Sequence, residues 1–166
     1  MVILGIDPGY AIVGWGLVQY GRGRFRPLRF GAITTPAGME FGRRLDAIYN
    51  ELTTLLVTHK PDALAVERLY FQNNQKTAID VAQARGVILL AAQTAGVPVY
   101  EYTPMQVKQS VVGYGKAVKK QVQEMTRVLL HLESIPKPDD TADALALAIC
   151  HAHSAGSLLS RLGQYR

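Results

Sequence analysis

Val2-Ile3-Leu4-Gly5-Ile6-Asp7-Pro8-Gly9-Tyr10 opens the chain as an apolar run that stops on a carboxylate at a turn. The run reads as a strand over 2–7. Pro8 sets φ and Gly9 permits a positive one, so the chain reverses there. A second strand is expected over 12–19. Gly21 and Gly23 mark the next turn, and 25–34 the third strand. Three consecutive strands with short connections predict an antiparallel meander.

Outward from the meander, apolar residues Phe41, Leu45, Ile48, Leu52, Leu55 and Leu56 recur at spacings of three and four, which predicts an amphipathic helix over 40–59. Lys60-Pro61-Asp62 ends it. Ala63-Leu64-Ala65-Val66 predicts a strand that closes on Glu67. A helix follows over 74–95, ended by Gly96. Its stretch 87–92 is apolar on every face and needs cover on both sides, from the sheet and from a second subunit. Val97-Pro98-Val99-Tyr100 reads as a short strand, with Pro98 favouring an edge or a strand start. Helices are expected over 104–112, 117–132 and 140–154. The order βββαβαβα plus two further helices is an α/β pattern: a mixed five-stranded sheet, an antiparallel meander continued by parallel strands through helical crossovers. One domain is expected over 1–154, with a flexible tail over 155–166.

With 48% hydrophobic and 19% charged residues, the chain is ordinary globular material. No apolar run reaches the ~20 residues that span a bilayer. The N-terminus lacks a basic region, so neither a membrane partner nor a signal peptide is expected. Cys150, the lone cysteine, lies in an apolar helix and reads as a buried thiol in a reducing compartment. Eighteen Lys and Arg face 13 Asp and Glu. Arg22, Arg24, Arg26 and Arg29 form an acid-free stretch, as do Lys116, Lys119 and Lys120. Such patches suit a polyanion.

Four carboxylates stand where core elements begin or end: Asp7, Glu67, Asp140 and Asp143. Each has a plain reading. Asp7 can stabilise its turn, Glu67 can simply leave a strand, and Asp140 can cap a helix whose first turn favours Asp143. Together they say more. If the strands ending at Asp7 and Glu67 lie side by side and the last helix crosses their ends, all four meet. Clustered carboxylates raise one another's pKa unless a cation neutralises them. Hard oxygen donors suit Mg²⁺ or Mn²⁺. Two such ions would activate a water and stabilise the leaving oxygen of an in-line displacement, the chemistry of phosphodiester cleavage. His151 and His153, in the last turn of the final helix, read as surface histidines favoured by the dipole.

Gly5-Ile6-Asp7-Pro8-Gly9, Ala65-Val66-Glu67, Ala82-Gln83-Ala84-Arg85-Gly86-Val87, Gln106-Val107-Lys108-Gln109 with Val111-Val112-Gly113, and Ala142-Asp143-Ala144-Leu145-Ala146 occur in order and at characteristic spacing. On these motifs the chain, from residue 1 to about 153, resembles the RuvC family of Holliday-junction resolvases, which have the RNase H-like fold. The resemblance implies that Asp7, Glu67, Asp140 and Asp143 hold two Mg²⁺ ions per subunit, with Mn²⁺ a possible substitute. It implies that Lys108 and Lys119 lie near the scissile phosphate, and that Tyr70, or Phe71 beside it, stacks on bases at the junction centre. Lys116 and Lys120 are further candidates for DNA contact. The implied partners are a four-way DNA junction, a second copy of the chain packed through the helix near 74–95, and the RuvA and RuvB branch-migration proteins. The implied compartment is the bacterial cytoplasm.

Two alternatives share these features in part. A nuclease of RNA–DNA hybrids would use the same acids but has no need of a dimer. A non-catalytic junction-binding module sits poorly with an intact carboxylate set, since unneutralised acids repel DNA. An actin-like phosphotransferase needs a second comparable domain, for which 166 residues leave no room.

Overall fold

The elements form in the expected order: β1 (Val2–Asp7), β2 (Ile12–Gly21), β3 (Arg24–Thr34), α1 (Phe41–His59), β4 (Ala63–Glu67), α2 (Gln75–Thr94), β5 (Val99–Tyr102), α3 (Pro104–Val112), α4 (Lys119–Leu129) and α5 (Asp139–Ser154). The computed structural model describes residues 1–69 and 75–155, with backbone alone for Gln75 and Lys76. Tyr70 and Phe71, and the expected tail beyond Ala155, lie outside the described residues.

The five strands form one mixed sheet in the order β3-β2-β1-β4-β5. β1, β2 and β3 make the antiparallel meander, while β4 and β5 run parallel to β1. Alternation along the strands sorts side chains to two faces. Leu4, Ile6, Leu17, Leu64 and Val66 face the cluster that includes Ile48 and Leu52 of α1 and Ile88 of α2. Ile3, Val18 and Ala65 face the opposite cluster, with Leu145 and Ile149 of α5, Val107 of α3 and Val122 of α4.

Several boundaries shift by a residue or more from expectation, and three of them have a local reason. β5 begins at Val99 because the Val97 amide is spent closing α2 on the Ala92 carbonyl (3.0 Å), around Gly96 at φ 69°. The Pro98 carbonyl then accepts from Leu64, so the proline stands at the start of an edge strand. α4 is shorter than predicted. Gln121 accepts from the Val118 amide at its start, and the Leu132 amide returns to Arg127 after His131 turns left-handed at φ 52°. α5 starts at Asp139 with Pro138 as N-cap, so Asp140 lies in the first turn rather than at the cap.

α5 is buried along nearly its whole length, because the sheet lies on one side and α3 and α4 on the other. This corrects the expectation for His151. Its residue is only 3% exposed, its Nδ1 lies 2.7 Å from the Tyr102 hydroxyl, and burial pulls its pKa down to about 4. His153 stays exposed, edge-on to Phe25. Cys150 is buried, as expected, and burial pushes its thiol up to about 12.

The approach of α5 to the sheet is backbone-close. A Cβ on Gly5 would fall on the Ala144 carbonyl, one on Gly14 on the Asp140 carbonyl, and one on Gly16 against the Leu145 side chain. Small residues Ala142, Ala144, Ala146 and Ala148 keep the helix side equally slim. Thr141 pins the helix start by donating its hydroxyl to the Gly31 carbonyl of β3 (3.0 Å). Gly14→Ala is therefore expected to lower the unfolding free energy by at least about 1–3 kcal/mol. Gly21→Ala, with open space around it, should change it by less than about 0.5 kcal/mol. Urea unfolding of the two variants checks the contrast.

Candidate active site

Strand parity brings the first two carboxylates together. Ile6 pairs with Val66, so the next residues, Asp7 and Glu67, end β1 and β4 side by side. Both have the parity of Ile3, Gly5 and Ala65, hence both point to the α5 face. The glycine-lined approach of α5 then delivers the other pair. Asp140 and Asp143, three residues apart, share one face of the first turns.

α3 and α4 bring lysines to the same place. Thr103 caps α3 reciprocally with Gln106, and Pro104 occupies the first turn. That start sets Lys108 on the rim. At α4, the Gln121 side-chain oxygen accepts from both the Val118 amide and the Tyr114 hydroxyl, which fixes the turn carrying Lys119. Asp7, Glu67, Asp143, Lys108 and Lys119 line one cavity of about 180 Å³. Glu67, Pro104 and Lys108 also line a second hollow of about 670 Å³, bordered by Arg68, Leu69 and Met105.

The electrostatics are those of an under-compensated acid cluster. Asp7 is pushed up to about 8, first by burial and then by the charges of Glu67, Asp143 and Asp140. Glu67 is raised by burial and by Asp143. Burial also raises Asp143, although Lys119 opposes it through a 2.8 Å ion pair. That pair in turn holds the Lys119 ammonium above its ordinary pKa. The donor set fits a hard divalent cation, being carboxylate oxygen throughout. As the side chains stand, no three such groups form a ready ligand set among the described residues. Lys119 supplies the positive charge there.

The structure thus gathers Asp7, Glu67, Asp143, Lys108 and Lys119, with Asp140 close enough to act on Asp7. Lys116 and Lys120 are exposed and do not line the cavity. Tyr70 and Phe71 fall outside the described residues. Sequence reasoning gave no role to Asp139 or Arg85. Asp139 takes ion pairs from Lys137 (2.5 Å) and Lys119 (4.0 Å). Arg85 donates its Nε to the Glu67 carbonyl (3.3 Å) and pairs with Glu101 of β5. A single arginine amid the apolar residues of α2 was a signal for this pair, because a buried charge requires a partner.

A sheet of this order with acids clustered across β1, β4 and the last helix defines an RNase H-like nuclease. The family model for crossover junction endodeoxyribonuclease RuvC matches residues 3–151, and the chain belongs to that family. The RuvC of Brevibacillus brevis is 59% identical over 152 residues, covering 92% of each chain. That of Caldanaerobacter subterraneus subsp. tengcongensis is 52% identical over 166 residues, the full length of both. Among solved structures, Thermus thermophilus RuvC in complex with a Holliday junction substrate superposes with a TM-score of 0.89 at 40% identity, covering 93% of this chain and 94% of that one. Nucleases of this family depend on a divalent metal.

The raised pKa of Asp7 means the folded state holds a proton that the unfolded chain releases above about 4, so metal-free stability falls as pH rises from about 4 to about 8. Asp7→Asn should flatten that slope and raise the metal-free Tm at pH 8, as scanning calorimetry across the range will show. Arg85→Ala leaves Glu101 half-buried without its partner and should cost about 3 kcal/mol in chemical unfolding.

Proposed function

We propose that this chain resolves four-way DNA junctions by paired, symmetric nicking of two strands, through Mg²⁺-dependent phosphodiester hydrolysis, in recombination and DNA repair. The observation that carries the reading is the partly buried, largely desolvated Asp7 carboxylate, crowded by three further acids and pushed up to about 8. Such crowding opposes folding and is useful only where a cation compensates it. Asp7, Glu67, Asp140 and Asp143 would hold two Mg²⁺, or Mn²⁺ in its place. Bound there, the metal supplies an activated water and charge for the leaving oxygen.

The chain's own groups do the rest. Lys119, which here pairs with Asp143 at 2.8 Å, would turn its ammonium to the scissile phosphate with that carboxylate neutralised. Lys108, on the rim, offsets the negative charge that builds on the same phosphate. Lys116 and Lys120 add sequence-blind backbone affinity. Tyr70 or Phe71 would stack on a base at the junction centre.

Two matched cuts call for two sites related by a two-fold axis. We therefore take residues 1–154 as one nuclease domain that acts as a homodimer. α2 is the interface element, supported by its exposed Ile79 (61%) and Leu90 (58%). RuvA and RuvB are the wider partners and the bacterial cytoplasm the compartment. No described helix is long and apolar enough to cross a membrane.

The test is cleavage of a mobile four-way junction in Mg²⁺, beside linear duplex and RNA–DNA hybrid of the same sequences. Symmetric nicks in the junction alone are expected. Asp7→Asn should lose at least about 100-fold in rate while still binding, and Lys119→Ala about 100-fold. Cutting of the hybrid instead would move the function to RNA removal, and binding without cutting would overturn the catalytic reading.

A further inference from the structure

The arginines of the β2–β3 hairpin have no part in the site above, and their geometry is specific. The register of β3 on β2 pairs Arg24 with Gly21 and Arg26 with Gln19, then slips by one residue, so that Val18 faces Pro27 while Leu17 faces Arg29. Leu28 is the extra residue of a β-bulge. Without it, alternation would send Arg29 to the face opposite Arg24 and Arg26. With it, Arg29 shares the face of Leu17, and Arg24 and Arg26 lie on that same face.

The result is a row of three guanidinium side chains, all exposed, on the outer strand of the sheet. From Arg24 to Arg29 the row spans the four steps of β2 from Gly21 to Leu17, about 13 Å at roughly 3.3 Å per residue. No acid occurs in the sequence between Asp7 and Glu40. Among the described residues none of the three arginines forms an ion pair with a carboxylate. An edge strand bearing charge also discourages strand addition, but that needs no particular face. A bulge that aligns three charges on one face does.

The row is remote from the acids. β2 runs antiparallel to β1, so Gly14 lies beside Asp7 whereas Gln19 lies beside Val2, at the other end of the strand. Arg24 and Arg26 are paired at that far end. The row therefore leads away from the cavity instead of lining it.

We propose that Arg24, Arg26 and Arg29 form a phosphate-binding ridge for a duplex arm of the junction, away from the crossover itself. Duplex DNA carries one charge per ~1.7 Å of axis, so a ridge of this length faces several phosphates along one arm. The ridge holds the arm in line while the metal site works at the crossover. The inference rests on the junction-cleaving reading, and its test separates the two.

The experiment compares wild type with Arg24→Gln/Arg26→Gln/Arg29→Gln on junctions with long arms and with arms trimmed close to the crossover. Binding is measured over a salt series without divalent metal, and cleavage is measured in Mg²⁺ at saturating protein. On long arms the triple variant should lose roughly 2–3 from the slope of log affinity against log salt, at ~0.9 per phosphate contact. Arg26→Gln alone should lose about one third of that. On trimmed arms variant and wild type should coincide, and the saturated cleavage rate should not change. An unchanged slope on long arms, or an equal loss on trimmed arms, overturns the ridge. Failure of the wild type to cut any junction would sink the nuclease reading instead.

Discussion

The backbone-close contact between α5 and the β1–β2 pair is the constraint on which the rest depends. Asp140 and Asp143 sit on a helix, Asp7 and Glu67 on strands. Ordinary helix-on-sheet spacing would leave the two pairs too far apart to act on one centre. Gly5, Gly14 and Gly16 remove the side chains that would hold the helix off, and the alanines of α5 complete the fit. The same contact forms much of one core layer. Building the candidate site and building the hydrophobic core are therefore one packing event.

That packing brings like charges together at a cost in stability. Burial and mutual repulsion raise Asp7, Glu67 and Asp143 alike. Lys119 relieves part of the strain through Asp143, and Arg85 steadies the neighbouring strand end through the Glu67 carbonyl and Glu101. Functional sites commonly keep such local conflicts where the surrounding structure is strong enough to impose them. Here the imposing structure is the sheet core, with Ile3, Leu4, Ile6, Leu64 and Val66 fully buried beneath the acids.

Legibility varied by the range of the physics involved. The strand ending at Asp7, the strand ending at Glu67 and the helix over 41–59 were readable because period and turn chemistry are local. Boundaries that depend on a capping exchange were not, as with Val97, whose amide belongs to the end of α2. His151 was misread as a surface residue because dipole reasoning sees only its own helix. What covers that helix comes from Tyr100 and Tyr102, some fifty residues earlier. Arg85 stood in a motif without a role because its partner lies on another strand.

By itself the sequence determined the alternation of strands and helices, the termini at which the acids stand, and the motifs that place the chain in its family. These follow from residue types at short separations, where backbone preference and periodicity act directly. Only the tertiary structure decided that Asp7 and Glu67 point to the same face as Asp143, that Lys119 answers that charge, and that a bulge aligns Arg29 with Arg24 and Arg26. Each of these turns on register, and a slip of one residue sends a strand side chain to the opposite face.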